Sequence, residues 1–99
     1  MPKKLPPIHP GEYLKEEFMA DFGLTMNQLA KALHVPSNRI TAIVNGTRGI
    51  TAETAMRLSR YFGNSPQFWM NMQAHYDLEV ARNKFEVALL KEIQPRAAA

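Results

Sequence analysis

Apolar residues recur at helical spacing along most of the chain, and runs that alternate apolar and polar residues are almost absent. The first periodic segment begins at Pro10 and ends at Gly23, a residue type that suits the C-terminal cap of a helix. Its apolar positions, which share one helical face, are Tyr13, Leu14, Phe18 and Phe22. Acidic residues stand between them, so we predict an amphipathic first helix.

Capping signals divide the next stretch into two short helices. Thr25, followed three residues later by Gln28, is the pattern of a capping box at the start of a second helix. This helix must end before Pro36, because proline disfavours the α conformation in the residue that precedes it. Pro36 in turn suits the start of a third helix, which we expect Gly46 to end.

Two further helices are predicted in the remainder of the chain. Thr51 can cap a fourth helix, which stops at Gly63. Pro66 then begins a fifth helix that extends to about Ile93, and as one straight rod it would be roughly 42 Å long. Because this exceeds the expected width of the domain, we predict a break or bend near Asp77.

Length and composition restrict the class of protein. The chain has 99 residues and no cysteine, so it is one small domain with neither a disulfide framework nor a thiolate metal site. Such a domain is near the lower limit for one hydrophobic core, and we expect a second surface to be buried in a partner. No segment approaches the roughly 18 apolar residues of a membrane span. These features predict a cytoplasmic protein with no membrane contact.

Charge is distributed unevenly along the chain. The predicted first helix is acidic, whereas the segment from Phe22 to Asn71 carries a single acidic residue, Glu53. The basic residues of that segment are Lys31, Arg39, Arg48, Arg57 and Arg60. A basic middle segment suits a polyanion such as nucleic acid, although solvated surface cations are also common.

The spacing of small and apolar residues around the second predicted turn is that of a helix-turn-helix. Ala30 suits a place where two helices cross steeply, and Ile40 and Ile43 suit the apolar anchors of the following helix. The other face of this third helix carries Ser37, Asn38, Arg39 and Thr41. A helix that enters the major groove needs apolar anchors inside and donors and acceptors at its N-terminal end. The third helix therefore favours DNA binding.

The chain resembles the XRE-type, phage-repressor-like helix-turn-helix family, although His34 stands where that family usually has a glycine in the turn. Histidine is enriched among residues with positive φ, so it can replace that glycine. The stretches IHPGEYLKEEF and VPSNRITAIVNGTRGITAETAMRLSRYFGNSPQFWMNMQAHYDLEVA are similar to the HigA antitoxins, and NSPQFWMNMQ is the most specific motif. The resemblance implies an all-α, five-helix domain with a C-terminal helical extension. It also implies a homodimeric autorepressor that binds a palindromic DNA operator and neutralises a RelE/HigB-like RNase toxin.

The resemblance also implies which residues face DNA. With Lys31, which is included for its positive charge, the predicted contacts are Thr25, Lys31, Ser37, Asn38, Arg39, Thr41, Asn45, Thr47 and Arg48. Arg39 is suited to bidentate hydrogen bonding with guanine and Asn38 with adenine. Alternatives stay open, since Thr25 can simply cap its helix and Arg39 can pair with a carboxylate. Thr47 and Arg48 can merely shape the turn, and Asn45 can be no more than a helix end.

Two protein interfaces complete the predicted organisation. The apolar residues of the last segment exceed what four short helices can cover, so some of them should face a second protomer. The predicted dimer contacts are Trp69, Tyr76, Leu78, Phe85 and Leu89. A toxin of this type is expected to be basic, so acidic residues of the first helix and the preceding arm are its predicted contacts. These are Ile8, Glu12, Glu16 and Glu17.

The predicted domain organisation is an extended arm over 1–9, the helix-turn-helix domain over 10–76, and a helical extension and tail over 77–99. The three histidines are far apart in sequence, so we predict no catalytic site, no metal and no cofactor. Two alternative functions stay open. The chain can be a stand-alone XRE-type regulator with no toxin, or a toxin inhibitor whose DNA binding is weak.

Overall fold

The computed structural model describes residues 6–97, and this range contains five helices and no strand. Helix α1 covers residues 10–22 and has a π-helical middle, Leu14–Met19. The remaining helices are α2 (Met26–Leu33), α3 (Ser37–Val44), α4 (Ala52–Phe62) and α5 (Pro66–Glu92). The predicted all-α, five-helix fold is confirmed. Part of the predicted arm, residues 1–5, and the last two residues of the tail lie outside the described range.

Capping groups begin and end the helices where the sequence pattern predicts. Thr25 Oγ1 accepts a hydrogen bond from the backbone N–H of Gln28 at 3.1 Å, and Gln28 Oε1 accepts one from the N–H of Thr25 at 2.9 Å. The hydroxyl oxygens of Thr51 and Ser65 cap α4 and α5. His34 ends α2 with a φ of 59°, in the left-handed conformation. The capping box and the positive φ in the turn are both confirmed.

The π-helical middle of α1 changes which residues face the core. Side chains five positions apart lie close together in a π-helix, so Leu14 and Met19 both point inward and are 0% and 5% exposed. Two members of the predicted apolar stripe lie at the edge of the core, since Tyr13 is 37% and Phe22 62% exposed while their rings pack against Phe18 and Phe62 respectively. The prediction assumed uniform α-helical spacing and therefore missed Met19 as a core residue.

The core surrounds Trp69, the largest of the fully buried side chains. The indole Nε1–H donates a hydrogen bond to Asn64 Oδ1 at 2.9 Å, and the ring of Phe18 packs with its centroid 5.0 Å from that of Trp69. The other buried apolar residues are Leu14, Met19, Leu29, Ala30, Leu33, Ile40, Ile43, Ile50, Ala55 and Leu58. Trp69 has no surface left for a partner. Its predicted place in the dimer interface is therefore wrong, because the core of its own protomer covers the whole ring.

Helix α5 runs without interruption from Pro66 to Glu92, so the predicted break near Asp77 is wrong. No glycine or proline occurs after Pro66 within this helix. Asp77 lies within this helix, and its Oδ1 accepts a hydrogen bond from Gln73 Nε2 at 3.0 Å, one turn earlier. Every residue from 82 to 92 is exposed, so the end of α5 continues beyond the core that its first turns cover.

Candidate nucleic-acid interface

Helix α3 is fixed on the domain by two apolar anchors. Ile40 and Ile43 are both 0% exposed, while Ser37 and Asn38 at the N-terminal end are exposed. Helix α1 supports α3 from behind, where Gly11 lies directly against the backbone of Ile43. A Cβ atom on Gly11 would overlap the Ile43 carbonyl oxygen, so only glycine fits at this crossing. The polar end of α3 is thus presented to solvent at a fixed angle.

The N-terminal ends of α2 and α4 flank α3 on its two sides. Thr41 Oγ1 lies 3.5 Å from the sulfur of Met26, the first residue of α2, and also donates to the carbonyl oxygen of Ser37 at 3.1 Å. On the other side, Arg39 Nη1 lies 3.3 Å from Glu53 Oε1, in the first turn of α4. Helix N-termini carry partial positive charge and unpaired backbone N–H groups, which favour phosphate. The arrangement is therefore suited to a polyanion.

Arg39 is only partly accessible. Its side chain is 20% exposed, and its Nε atom is buried without a hydrogen-bond partner among the described residues. The ion pair with Glu53 is the carboxylate pairing that the sequence left open as an alternative to base contact. Because Arg39 Nη2 carries two further N–H donors, the pair does not exhaust the hydrogen-bonding capacity of the guanidinium.

Glu53 joins Arg39 to the end of α2 through a second arginine. Its Oε2 accepts hydrogen bonds from Arg57 Nε at 3.2 Å and Nη2 at 3.0 Å. Arg57 Nη1 donates to the carbonyl oxygen of Leu33 at 2.9 Å, just before the turn of the helix-turn-helix. The hydrogen bonds from Arg57, followed by the positive charges of Arg39 and Arg57, hold the pKa of the Glu53 carboxyl below its ordinary value.

The loop after α3 adds exposed polar groups beside this helix. Thr47 Oγ1 donates to the carbonyl oxygen of Ala42 at 3.2 Å, and the backbone N–H groups of Thr47 and Arg48 donate to the same oxygen. The Thr47 hydroxyl therefore shapes the loop, whereas the Arg48 side chain is exposed. The remaining predicted DNA contacts that are exposed are Thr25, Lys31 and Asn45.

Gln73 is a positioning residue that the sequence pattern did not reveal. It is 9% exposed, and its Oε1 accepts a hydrogen bond from the backbone N–H of Ile50 at 2.8 Å. Its side-chain amide also lies against Gly49, where an added Cβ would come within 3.0 Å of Nε2. Gln73 thus attaches the end of the loop after α3 to α5. Its place among apolar residues on the inner side of α5 is the signal that could have identified it.

The other predicted dimer residues differ in exposure. Leu78, Phe85 and Leu89 are 53%, 49% and 47% exposed and lie along one groove of α5 with Leu90 and Ile93. Tyr76 lies outside this groove. Its ring is half-buried and meets the His9 ring edge-on, with the centroids 4.8 Å apart.

The predicted toxin contacts all lie at the surface. Ile8 is 66% exposed, and Glu12, Glu16 and Glu17 are exposed on α1. Over residues 6–97, no group of three or more histidine, aspartate or glutamate side chains is arranged to hold a metal ion.

These features define a helix-turn-helix protein, and the comparisons with known proteins agree. The helix-turn-helix family matches residues 14–69. Virulence-associated protein I of Dichelobacter nodosus is 56% identical over 78 residues, which cover 79% of this chain and 72% of the relative.

Two solved structures show which group of helix-turn-helix proteins this chain resembles. An addiction module antidote protein of the HigA family from Coxiella burnetii has a TM-score of 0.88 and 49% identity, over 93% of this chain and 100% of that one. The Pseudomonas aeruginosa antitoxin HigA, solved with the higBA promoter, has a TM-score of 0.89 and 44% identity, over 92% and 99% of the two chains. The chain belongs to the HigA group of XRE-type helix-turn-helix proteins.

Proposed function

We propose that this protein is the antitoxin of a type II toxin–antitoxin module. It binds a palindromic operator in its own promoter as a homodimer and neutralises a RelE/HigB-like RNase toxin. The observation that carries the DNA-binding half of this proposal is the seating of α3. Its apolar face is buried at Ile40 and Ile43, its polar N-terminal end is exposed, and the starts of α2 and α4 flank it. The similar Pseudomonas aeruginosa HigA was solved with promoter DNA, which supports DNA binding as a function of this protein.

The proposed DNA contacts divide by chemistry. Arg39 and Asn38 are the proposed base readers, for guanine and adenine respectively, because their side chains can form bidentate hydrogen bonds in the major groove. Phosphate contacts are proposed for the charged and hydroxyl groups at the edges of the surface, which are Thr25, Lys31 and Arg48. Thr47 can join them only if its hydroxyl gives up the hydrogen bond that it donates to the Ala42 carbonyl oxygen. The remaining polar groups, for either base edges or phosphates, are Ser37, Thr41 and Asn45.

The proposed dimer follows from how little one recognition helix can read. A single helix covers a few base pairs, and two-fold operators place half-sites about 34 Å apart, so two copies are needed for a palindromic site. The proposed interface is the apolar groove on the second half of α5, with Leu78, Phe85 and Leu89. Tyr76 is included at its edge.

The proposed toxin contact is the acidic face of α1 with the residues before it. A basic RNase would be attracted to Glu12, Glu16 and Glu17, which are exposed and lie on α1, a helix that supports α3 from behind at Gly11. Ile8 adds an exposed apolar side chain beside them. DNA and toxin could then be bound together.

The DNA-binding proposal is tested with the promoter fragment upstream of this gene and a scrambled fragment of equal length. Arg39→Ala should weaken promoter binding by about 1–3 kcal/mol and scrambled DNA binding much less. Arg96→Ala removes an exposed arginine from the C-terminal tail and is the matched control. Binding to the promoter should also weaken steeply as the salt concentration rises, because the lysine and arginine side chains of the protein displace counterions that are condensed on the DNA. Equal losses on both fragments would show that Arg39 contacts phosphate and not a base.

The toxin proposal is tested with the product of the neighbouring gene. A basic RelE-like protein encoded there would favour the antitoxin over a stand-alone regulator. Charge reversal of Glu16 and Glu17 to lysine should weaken its binding in calorimetry several-fold, and more so at low salt. Glu92→Lys, at the far end of α5, is the control. Unchanged affinity in the α1 variant, with promoter binding intact, would move the toxin contact to another surface.

A further inference from the structure

Arg39 is held in one position in the free protein. Its Nε lies buried, its Nη1 is paired with Glu53 Oε1 at 3.3 Å, and only 20% of its side chain is exposed. A free arginine side chain samples many rotamers and can reach any nearby phosphate. An arginine that is fixed before binding loses less conformational entropy when it meets a base in the right place.

The group that holds Arg39 is itself fixed. Glu53 is bound by two hydrogen bonds from Arg57, which lies one turn further along α4. Arg57 is anchored in turn to the carbonyl oxygen of Leu33 at the end of α2. The position of the Arg39 guanidinium is therefore coupled to the backbone of the helix-turn-helix and to two other helices.

The contact leaves part of the guanidinium available. Nη1 forms its bond to Glu53 with one of two N–H groups, and no described hydrogen bond uses Nη2. The Nη1–Nη2 end of the fork thus retains donors for the two acceptors that guanine presents in the major groove. Glu53 and a base can be bound by the same arginine.

We propose that Glu53 is a positioning residue for Arg39 and raises the preference of the protein for its operator over other DNA. This inference rests on the proposed DNA-binding function. Without Glu53, the Arg39 guanidinium would be free to pair with phosphates of any sequence. Non-specific binding would then rise while the advantage of the matching base decreases.

The test is a double-mutant cycle with Glu53→Gln and Arg39→Ala, measured on the promoter fragment and on the scrambled fragment. In the presence of Arg39, Glu53→Gln should lower the ratio of promoter to scrambled affinity about two- to fivefold, the range expected for one exposed ion pair. In the Arg39→Ala background the ratio should not change. The charge effect of losing one carboxylate raises affinity for both fragments and cancels in the ratio. Glu79→Gln, which breaks the exposed pair of Glu79 with Arg82 on α5, is the control and should not change the ratio.

A second measurement needs no DNA. Exchange of the Arg39 Nε–H with solvent, followed by nitrogen-15 NMR, should be slow in the wild-type protein and faster in Glu53→Gln. Helical circular dichroism should be the same in both, because Glu53 is exposed.

Three results would overturn the inference. An unchanged ratio, or the same change with and without Arg39, would show that Glu53 does not act through Arg39. Equal Nε–H exchange in the two proteins would show that Glu53 does not hold the side chain. A wild-type protein that binds both fragments equally would instead refute the proposed function, and the inference with it.

Discussion

The two halves of helix α5 have the same secondary structure and opposite environments. The first turns contain Trp69 and Gln73, which are 0% and 9% exposed and are covered by the other helices. The second half carries Phe85 and Leu89, which are 49% and 47% exposed on one groove with no covering element in the described chain. Local helix formation therefore says nothing about burial here. The first half is held by its own protomer, and the second has an apolar surface that a partner can cover.

The largest expected effect is a loss of stability when the buried first half of α5 is disrupted. Trp69→Ala should lower the free energy of unfolding by about 3–5 kcal/mol, because the ring is fully buried and its removal leaves a cavity. Chemical denaturation followed by circular dichroism measures the loss. A Trp69→Ala variant with an unchanged denaturation midpoint would contradict the placement of Trp69 in the core.

The next effect tests the crossing of α1 and α3, which belongs to the buried region. Gly11→Ala should cost about 1–3 kcal/mol of stability, since its Cβ overlaps the Ile43 carbonyl oxygen and the backbones must separate. Gly23→Asn is a matched control, because no atom beyond its own chain neighbours lies within 4 Å of its Cβ position and asparagine tolerates the left-handed conformation. Both are followed by thermal unfolding. Equal melting temperatures for the two variants would argue against the close crossing.

A smaller effect is expected from the second half of α5, in assembly more than in protomer stability. If the proposed dimer forms through this groove, Phe85→Ala should weaken it by about 1 kcal/mol for each side chain, because half of the residue is already covered within the protomer. Analytical ultracentrifugation over a concentration series measures the dissociation constant. Val87→Ala, which is 68% exposed and outside the groove, should leave it unchanged. A dimer that tolerates both substitutions must use another interface.

The smallest effect concerns His9 at the start of α1, whose ring packs against Tyr76 between the two halves of α5. His9 Nδ1 accepts a hydrogen bond from the N–H of Gly11 at 2.9 Å and so must be neutral to cap the helix. Burial lowers the pKa of His9 by more than the nearby Asp77 carboxylate raises it. The unfolded chain therefore binds the proton more tightly than the folded one. The stabilisation is complete above the unfolded pKa of about 6.5 and is lost as the pH falls towards the lower folded pKa.

His9→Asn is the matched variant for this effect, because asparagine also caps helices but does not titrate. The difference in stability between wild type and variant should change between pH 7 and pH 5 by a small amount. Thermal unfolding at several pH values measures it. A constant difference would show that the His9 cap does not depend on its protonation state.

Much of the fold could be predicted because short-range chemistry governs it. Thr25, Thr51 and Ser65 cap helices through bonds to residues three positions away, so each signal lies within one short window of sequence. The spacing of Ala30 and Ile40 likewise predicted the helix-turn-helix, and both residues are buried. The predicted break in α5 was wrong because the size of a domain does not limit a helix that continues past its core.

The candidate site was only partly predictable. The exposed polar residues of α3 follow from its amphipathic pattern, since its apolar face is buried. The pairing of Arg39 with Glu53 does not follow from any local pattern, because the two residues are separated by fourteen positions and belong to different helices. The Gln73 bond to Ile50 spans twenty-three positions and was missed for the same reason.

The sequence by itself determined the helices, most of their ends, the helix-turn-helix spacing and the acidic and basic segments. These depend on backbone conformation and on contacts within a turn or two, which neighbouring residues specify. Only the tertiary structure decided that Trp69 is buried while Phe85 is half exposed, that Gly11 supports α3, and that Arg39 is held by Glu53. Each of these depends on which helices meet and at what angle, and distant parts of the chain set that geometry together.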